Sequence, residues 1–263
     1  MALRQTSVVA CTLLTATIFF AADIPLQPLQ QLAQQSKDLL PPPNAGLKKP
    51  AWKSSLALGL SLARGNKDAL LLNGNFQTQR KSAVNELLFG LDGAYGEDSG
   101  TKNYEQLHVY SQFNHYFTRR FYNFLRVDGL HDGIKNIDYR LTVSPGVGYF
   151  LLPQTNLTLA VEVGPSFVLD RQGGHEETYA AARLAERLEY KFNPTTRLWE
   201  NVEVIPQLNR SENFIINAEV GVETSVTKEL GLRVYLQDSF VNQPAAGYKN
   251  NDLRLISGVS YKF

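Results

Sequence analysis

The chain ends in a strand that is oily on one side and wet on the other. From Leu253 to Phe263, apolar side chains at Leu253, Leu255, Val259, Tyr261 and Phe263 alternate with Arg254, Ser260 and Lys262. Successive side chains of a strand point to opposite faces, so this pattern specifies a sheet with one apolar and one polar surface. Many antiparallel sheets fit that description. A carboxy-terminal aromatic residue narrows it, because Val259, Tyr261 and Phe263 together form the kind of ending that bacterial barrel-assembly machinery recognises. The expectation is an all-β, transmembrane antiparallel up-and-down β-barrel.

Composition bounds the alternatives. A length of 263 residues suits one undivided barrel. The mean hydropathy of -0.22 is too low for a bundle of membrane helices, and past the amino end no run approaches the roughly 20 apolar residues a spanning helix needs. If the chain crosses a membrane, it crosses as strands, whose alternation averages to middling hydropathy. Net charge is +1, and loss of a leader containing Arg4 balances the two signs, so no basic excess points to nucleic acid.

Arg4, the apolar stretch Val8 to Phe20, and Ala21-Ala22 before Asp23 read as a secretory signal peptide over residues 1–22. Phe19 or Phe20 falls three before the cut, where small residues are preferred. Cys11 follows Val8-Val9-Ala10 and loosely resembles a lipoprotein box, but the apolar core continues beyond it. With the leader removed no cysteine remains, which leaves neither disulfides nor thiolate metal sites. Over residues 23–50, Leu26, Leu29, Leu32, Ser36, Leu39 and Leu40 recur at helical spacing until Pro41-Pro42-Pro43 stops them. This predicts a short amphipathic helix and a Pro-rich linker in the periplasm, either a tether or a segment docked under or inside the barrel.

Residues 51–263 carry about twelve period-two segments bounded by turn residues. Tyr139, Leu141, Val143, Val147 and Tyr149 oppose Arg140, Thr142, Ser144 and Gly146. Leu157, Leu159, Val161, Val163 and Phe167 oppose Thr158, Glu162 and Ser166. Segments near Leu198 to Val204, Lys102 to Phe117 and just after Arg120 are less regular. With an even count and a periplasmic amino end, the external connections are Arg64 to Asp68, Gly96 to Asn103, His131 to Ile137, Asp170 to Glu177, Leu208 to Glu212 and Val241 to Asn251. The periplasmic ones, such as Pro153-Gln154-Thr155, are expected to be tighter. The same orientation puts Phe113, Phe117, Phe121, Tyr149, Tyr190, Phe192, Tyr261 and Phe263 in a girdle at the periplasmic rim. A soluble β-sandwich explains the alternation but not the girdle, the even count and the terminal aromatic together.

The wet stripe places Arg126, Arg140, Glu162, Arg183, Arg187, Glu219, Glu223, Arg233 and Arg254 in the lumen, solvated or mutually paired. Eight strands leave room only for side chains and sixteen or more hold an aqueous channel, so about twelve is intermediate. Glycines at 59, 90, 146, 148, 164, 221 and 258 share that stripe. They either open space or, the preferred reading, mark bends and close backbone approach.

Trp52, Leu58-Gly59-Leu60-Ser61, Arg64-Gly65-Asn66, Arg140 with Pro145-Gly146-Val147-Gly148-Tyr149, Glu162-Val163-Gly164 and the closing Gly258-Val259-Ser260-Tyr261-Lys262-Phe263 occur in the order and spacing of a bacterial family. On these residues the chain resembles the salt-induced outer-membrane proteins, catalogued as a domain of unknown function. Lys67 departs from the small or hydroxylated residue expected after Asn66. The resemblance implies an outer-membrane barrel without an established activity.

Chemistry beyond that is sparsely encoded. His108, His115, His131 and His175 are the only histidines and none has ligand spacing, so no metal or cofactor is expected. Ser111 and His115 share the outward face of one strand, as a surface lipase would need. Their strand runs toward the periplasm, away from outer-leaflet substrate, so no catalytic residue is assigned. The leading expectation is a passive small-solute channel or envelope-structural barrel. A lipid-modifying enzyme and a closed barrel that binds a partner through its outer loops are the alternatives. Expected partners are outer-membrane lipid and lipopolysaccharide, the assembly machinery through the last strand, and a small solute.

Overall fold

A computed structural model describes residues 51–63, 69–210, 212–244 and 247–263. The segments expected as signal peptide and as helix with linker lie outside them, as does the connection at 64–68. The alternating segments become strands β1 (Trp52–Ala63), β2 (Ala69–Lys81), β3 (Asn85–Asp98), β4 (Thr101–Tyr116), β5 (Phe121–Asp132) and β6 (Ile137–Pro153). They continue as β7 (Leu157–Gln172), β8 (His175–Lys191), β9 (Thr196–Pro206), β10 (Phe214–Ser225), β11 (Leu230–Val241) and β12 (Asn251–Lys262). Each pairs antiparallel with its chain neighbours, and β12 pairs back onto β1, so these twelve strands form a closed barrel. An even number of strands returns the chain to its starting rim. Trp52 and Phe263 therefore share one end, the terminal rim; the other end is the distal rim.

Burial is inverted relative to a water-soluble protein. Along β6, Leu141, Val143, Val147 and Tyr149 are exposed while Arg140, Thr142, Ser144 and Gly148 are buried. Outward Leu255 is 69% accessible, whereas inward Glu162 is 3% and Glu223 1%. A continuous apolar exterior of this kind is stable only under acyl chains or an equivalent cover. At the terminal rim the exterior becomes aromatic. Phe117 stacks with Phe121 at 5.8 Å, Tyr190 meets Phe192 edge-on at 4.9 Å, and Tyr261 stacks with Phe263 at 6.0 Å. Toward the distal rim it becomes charged, with outward pairs such as Arg171–Asp138 at 3.2 Å.

Two connections differ from expectation. Gly96 to Asn103 and Asp170 to Glu177 are read from sequence as loops, yet β3 and β4 meet at Ser99-Gly100, and β7 and β8 at Gly173-Gly174. Both pairs have positive φ (50° and 79°, 61° and 78°), the conformation of the tight hairpin turns that match strand twist. Polar residues flanking them extend the ladders instead of looping out. Longer distal connections remain between β9 and β10 and between β11 and β12.

The ladder has two special places. Between β6 and β7, pairing stops from Val143↔Phe167 to Val147↔Val163, where Pro145 and Pro165 have no N–H to donate. A hydroxyl contact, Ser144 Oγ to Ser166 Oγ at 2.6 Å, ties the strands across this gap. The second is the closing seam, where the β1–β12 register runs only from Ser55↔Lys262 to Leu58↔Val259. Reciprocal backbone bonds of 3.0 Å between Ser54 and Phe263 extend it. A side chain on Gly258 would put its Cβ 2.8 Å from the Leu58 carbonyl oxygen, and one on Gly59 would stand 2.8 Å from that of Ser257. Backbone cannot retreat there without breaking the seam. Gly258→Val is expected to abolish the compact, heat-modifiable form on cold SDS gels after refolding, while Ser257→Val, on the outward face beside it, leaves that form intact.

Candidate functional site in the barrel lumen

Alternation directs every second side chain into the lumen, and all nine charged residues assigned there from sequence project inward. They do not stand alone. Glu162 on β7 is a hub whose carboxylate accepts from Tyr122 Oη at 2.8 Å, Gln112 Nε2 at 2.9 Å and Arg183 Nη1 at 2.8 Å, and also from Arg187. Arg183 reaches Glu203 with its Nε and covers the Phe124 ring at 5.2 Å. Gln112 passes the network to Asn114, and Asn114 donates to Glu86 at 2.9 Å, which Tyr116 and Gln79 also contact.

Glu223 on β10 is the second hub. Arg197 Nη2 at 2.9 Å, Arg233 Nη2 at 3.2 Å and Lys262 Nζ at 2.6 Å surround it. Arg233 also donates to Asn75 across the seam at 3.0 Å and lies over the Trp199 ring at 5.3 Å. Trp199 in turn donates its indole N–H to Glu219 at 2.6 Å. Between the hubs, Arg126 forks onto Asp128 at 2.6 and 2.8 Å and reaches Gln112 at 3.3 Å. Asp128 and Asp92 flank His108 at 3.2 and 3.7 Å, and Asp92 also accepts from Asn75. One connected network thus links the two hubs.

Near the distal rim Arg140 pairs with Asp170 at 2.6 Å. Arg254 lies over the Tyr104 ring at 4.9 Å, and Lys135 in the β5–β6 turn meets Asp252 on β12 at 2.7 Å. An inward apolar patch of Val168, Tyr179, Ala181, Ile205, Ile215 and Val241 interrupts the polar lining on that side.

The inward glycines resolve into two kinds. Gly90 is filled by the ring of its paired residue Tyr110, Gly148 by Tyr122, Gly146 by Phe124, and Gly221 by Trp199. Each ring lies where the neighbour's side chain would otherwise stand, the cross-strand rescue of glycine by an aromatic. Gly59, Gly164 and Gly258 instead admit close backbone or amide approach. Neither kind leaves empty space.

Sequence reading did not assign roles to Tyr122, Gln112, Asn75, Asp92, Arg197 or Trp199. Their parity on the strand was the available signal. It also passed over Glu186 and Glu200, which by register project outward on β8 and β9, opposite Val202 and Leu188. Ser111 donates to the Leu88 carbonyl at 3.3 Å and His115 Nδ1 lies 2.8 Å from Asn85 Oδ1. Four positions along an extended strand separate Ser111 from His115 by about 13 Å, too far for a proton relay. Among the described residues no group of three His, Cys, Asp or Glu side chains could hold a metal ion.

The interior is not completely filled by side chains. The side chains of His108 and Arg187 keep about a third of their surface accessible although they face inward, and Arg197 and Lys262 do so at the terminal rim. Asn201, which pairs with Arg187 and Glu219 at mid-strand, is exposed. Buried Glu162 depends on its partners, since breaking a buried ion pair leaves an uncompensated charge. Glu162→Gln is expected to lower unfolding stability in urea by about 3–5 kcal/mol. Arg171→Ala, at an exposed pair, should cost less than about 1 kcal/mol.

The model of a family described as a protein of unknown function, DUF481, matches residues 56–263. That description makes no mention of salt. No curated protein matches the chain. Among solved structures, an outer-membrane channel from Pseudomonas putida F1, described as COG4313, is 12% identical over 85% of this chain and 100% of its own, with a TM-score of 0.50. The NanC porin is 9% identical over 80% and 96%, TM-score 0.47, and the KdgM porin 12% over 81% and 99%, TM-score 0.44. The first of these likenesses shows the fold, that of an outer-membrane β-barrel.

Proposed function

We propose that this chain, which belongs to the DUF481 family, is a passive channel for small polar solutes in a bacterial outer membrane. The observation that carries this reading is the accessibility of the inward charges. Arg187 and His108 face the lumen between the two rims and keep about a third of their side-chain surface accessible, and Asn201 beside Arg187 is exposed. A barrel serving only as a wall has no need of hydrated charge, which a well-packed apolar filling replaces at no loss of stability. Charges of both signs are paired at both hubs, which suits uncharged polar solutes as well as salt.

The outward face supports the location. Its apolar belt suits acyl chains, its charged distal fringe suits lipid headgroups including lipopolysaccharide, and Val259, Tyr261 and Phe263 are each about half exposed or more along the last strand. In this reading the leader over 1–22 exports the chain and the last strand is presented to the barrel-assembly machinery. Catalysis forms no part of the proposal, because Ser111 and His115 are engaged separately.

In planar bilayers the refolded chain, tested with and without residues 23–50, is expected to give discrete current steps absent from protein-free lipid. Arg187→Ala combined with Arg197→Ala should enlarge the steps, because those two side chains protrude into the water-filled space. Silence of both forms at high salt contradicts the channel.

A further inference from the structure

A cavity of about 470 Å³ opens at the distal rim beside the apolar patch. Its wall combines three chemistries. Asn136, Gln172, Asn213 and Gln243 contribute planar amides, from the β5–β6 turn, β7, and the two long distal connections. Arg140 with Asp170 and Arg210 with Glu177, at 2.6 and 3.4 Å, contribute ion pairs. Tyr179, Ile215 and Val241 form an apolar floor, and Tyr248 adds an accessible ring.

We propose that this vestibule binds a neutral saccharide of one or two rings. Charge decides against an anion: each arginine in the wall already has its own carboxylate, so neither offers uncompensated positive charge. His175, exposed at the rim, is the remaining basic lining group. An amide presents a donor and an acceptor side by side, which complements a hydroxyl, itself donor and acceptor. Four such amides around one cavity match a ring bearing several hydroxyls. A pyranose also has an apolar C–H face, and the Tyr248 ring and the floor supply its counterpart. The volume lies within the range of about 300–1,000 Å³ typical of small-molecule sites.

Two of the amides are held in place by groups behind them. Gln172 Nε2 donates to the Lys135 carbonyl at 3.3 Å, while its Oε1 lies 3.5 Å from Arg140 Nη2. Asn213 Nδ2 donates to Gln207 Oε1 at 2.6 Å, which leaves its own carbonyl oxygen to accept. Pre-positioned groups lose less freedom on binding than mobile ones. The site does not require that the lumen conduct, so binding and conduction are separable.

The test is titration calorimetry on the whole mature chain, refolded in a detergent without a sugar headgroup, with maltose, lactose and sucrose as probes and galacturonate as the anionic comparison. Saturable heat is expected with at least one neutral sugar. Gln172→Ala and, in a connection outside the strands, Tyr248→Ala should each weaken it about tenfold, equivalent to about 1.4 kcal/mol, while heat-modifiability confirms that both remain folded. No saturable heat with any neutral sugar, unchanged affinity in both folded variants, or tighter binding of galacturonate overturns the proposal. Because the readout is equilibrium heat, its failure leaves the current measurements standing, and silent bilayers leave the binding standing.

Discussion

Everything in this molecule follows from the impossibility of leaving a backbone N–H or C=O unpaired in hydrocarbon. Water is absent there, so each unpaired group costs several kcal/mol. A sheet has two edges, and only joining them removes the cost. The β1–β12 seam is therefore the condition on which the other pairings depend, although it is the shortest in register. Gly59 and Gly258 lie along it, where a side chain would strike carbonyl oxygens of the facing strand. Prolines at 145 and 165 are tolerable because a serine pair spans the stretch of ladder they interrupt.

Closure then fixes the chemistry of the two faces. The exterior meets acyl chains and needs no packing partner beyond them. The interior must solvate or pair whatever the polar parity delivers. Glu162 and Glu223 do this by collecting two or three cations each, and Glu162 also accepts from a tyrosine and a glutamine. Paired charge remains compatible with water, and the partly accessible Arg187 and His108 side chains lie on the wall rather than filling the space beside it. Aromatic rings laid over glycines add rigidity to the same wall. Twelve strands lined in this way enclose a polar interior.

The fold was legible in the sequence to the extent that one parity governs each strand. Tyr139 to Tyr149 and Leu253 to Phe263 alternate cleanly, and the strands there form as written. Parity also carried the nine lumen charges inward, since it needs no knowledge of neighbours. Partners were not legible, because register across strands sets them: nothing local in Asn75 indicates that it will face Arg233 around the seam. The two tight distal turns were hidden by polar flanks, where composition reads as loop and only the left-handed φ at Ser99-Gly100 and Gly173-Gly174 shows a hairpin. Glu186 and Glu200 break the outward apolar stripe, and their role in the fold is not explained by parity. The vestibule was invisible in sequence, since its residues come from β6 to β8, β10, β11 and four separate distal connections.

The central claim is that adjacent residues of one strand look into different media. Its most direct measurement is spin-label accessibility along β6 in lipid vesicles, with single cysteines placed at Leu141, Thr142, Val143, Ser144 and Val147 after Cys11, the one cysteine of the sequence, is replaced by serine. Oxygen, which partitions into lipid, should reach labels at 141, 143 and 147 best. A water-soluble nickel chelate should be shut out at 141, 143 and 147 and reach 142 and 144 at least as well, so that the ratio of the two reagents oscillates with period two. Accessibility that rises and falls in phase for both reagents, or that shows no period of two, contradicts the account.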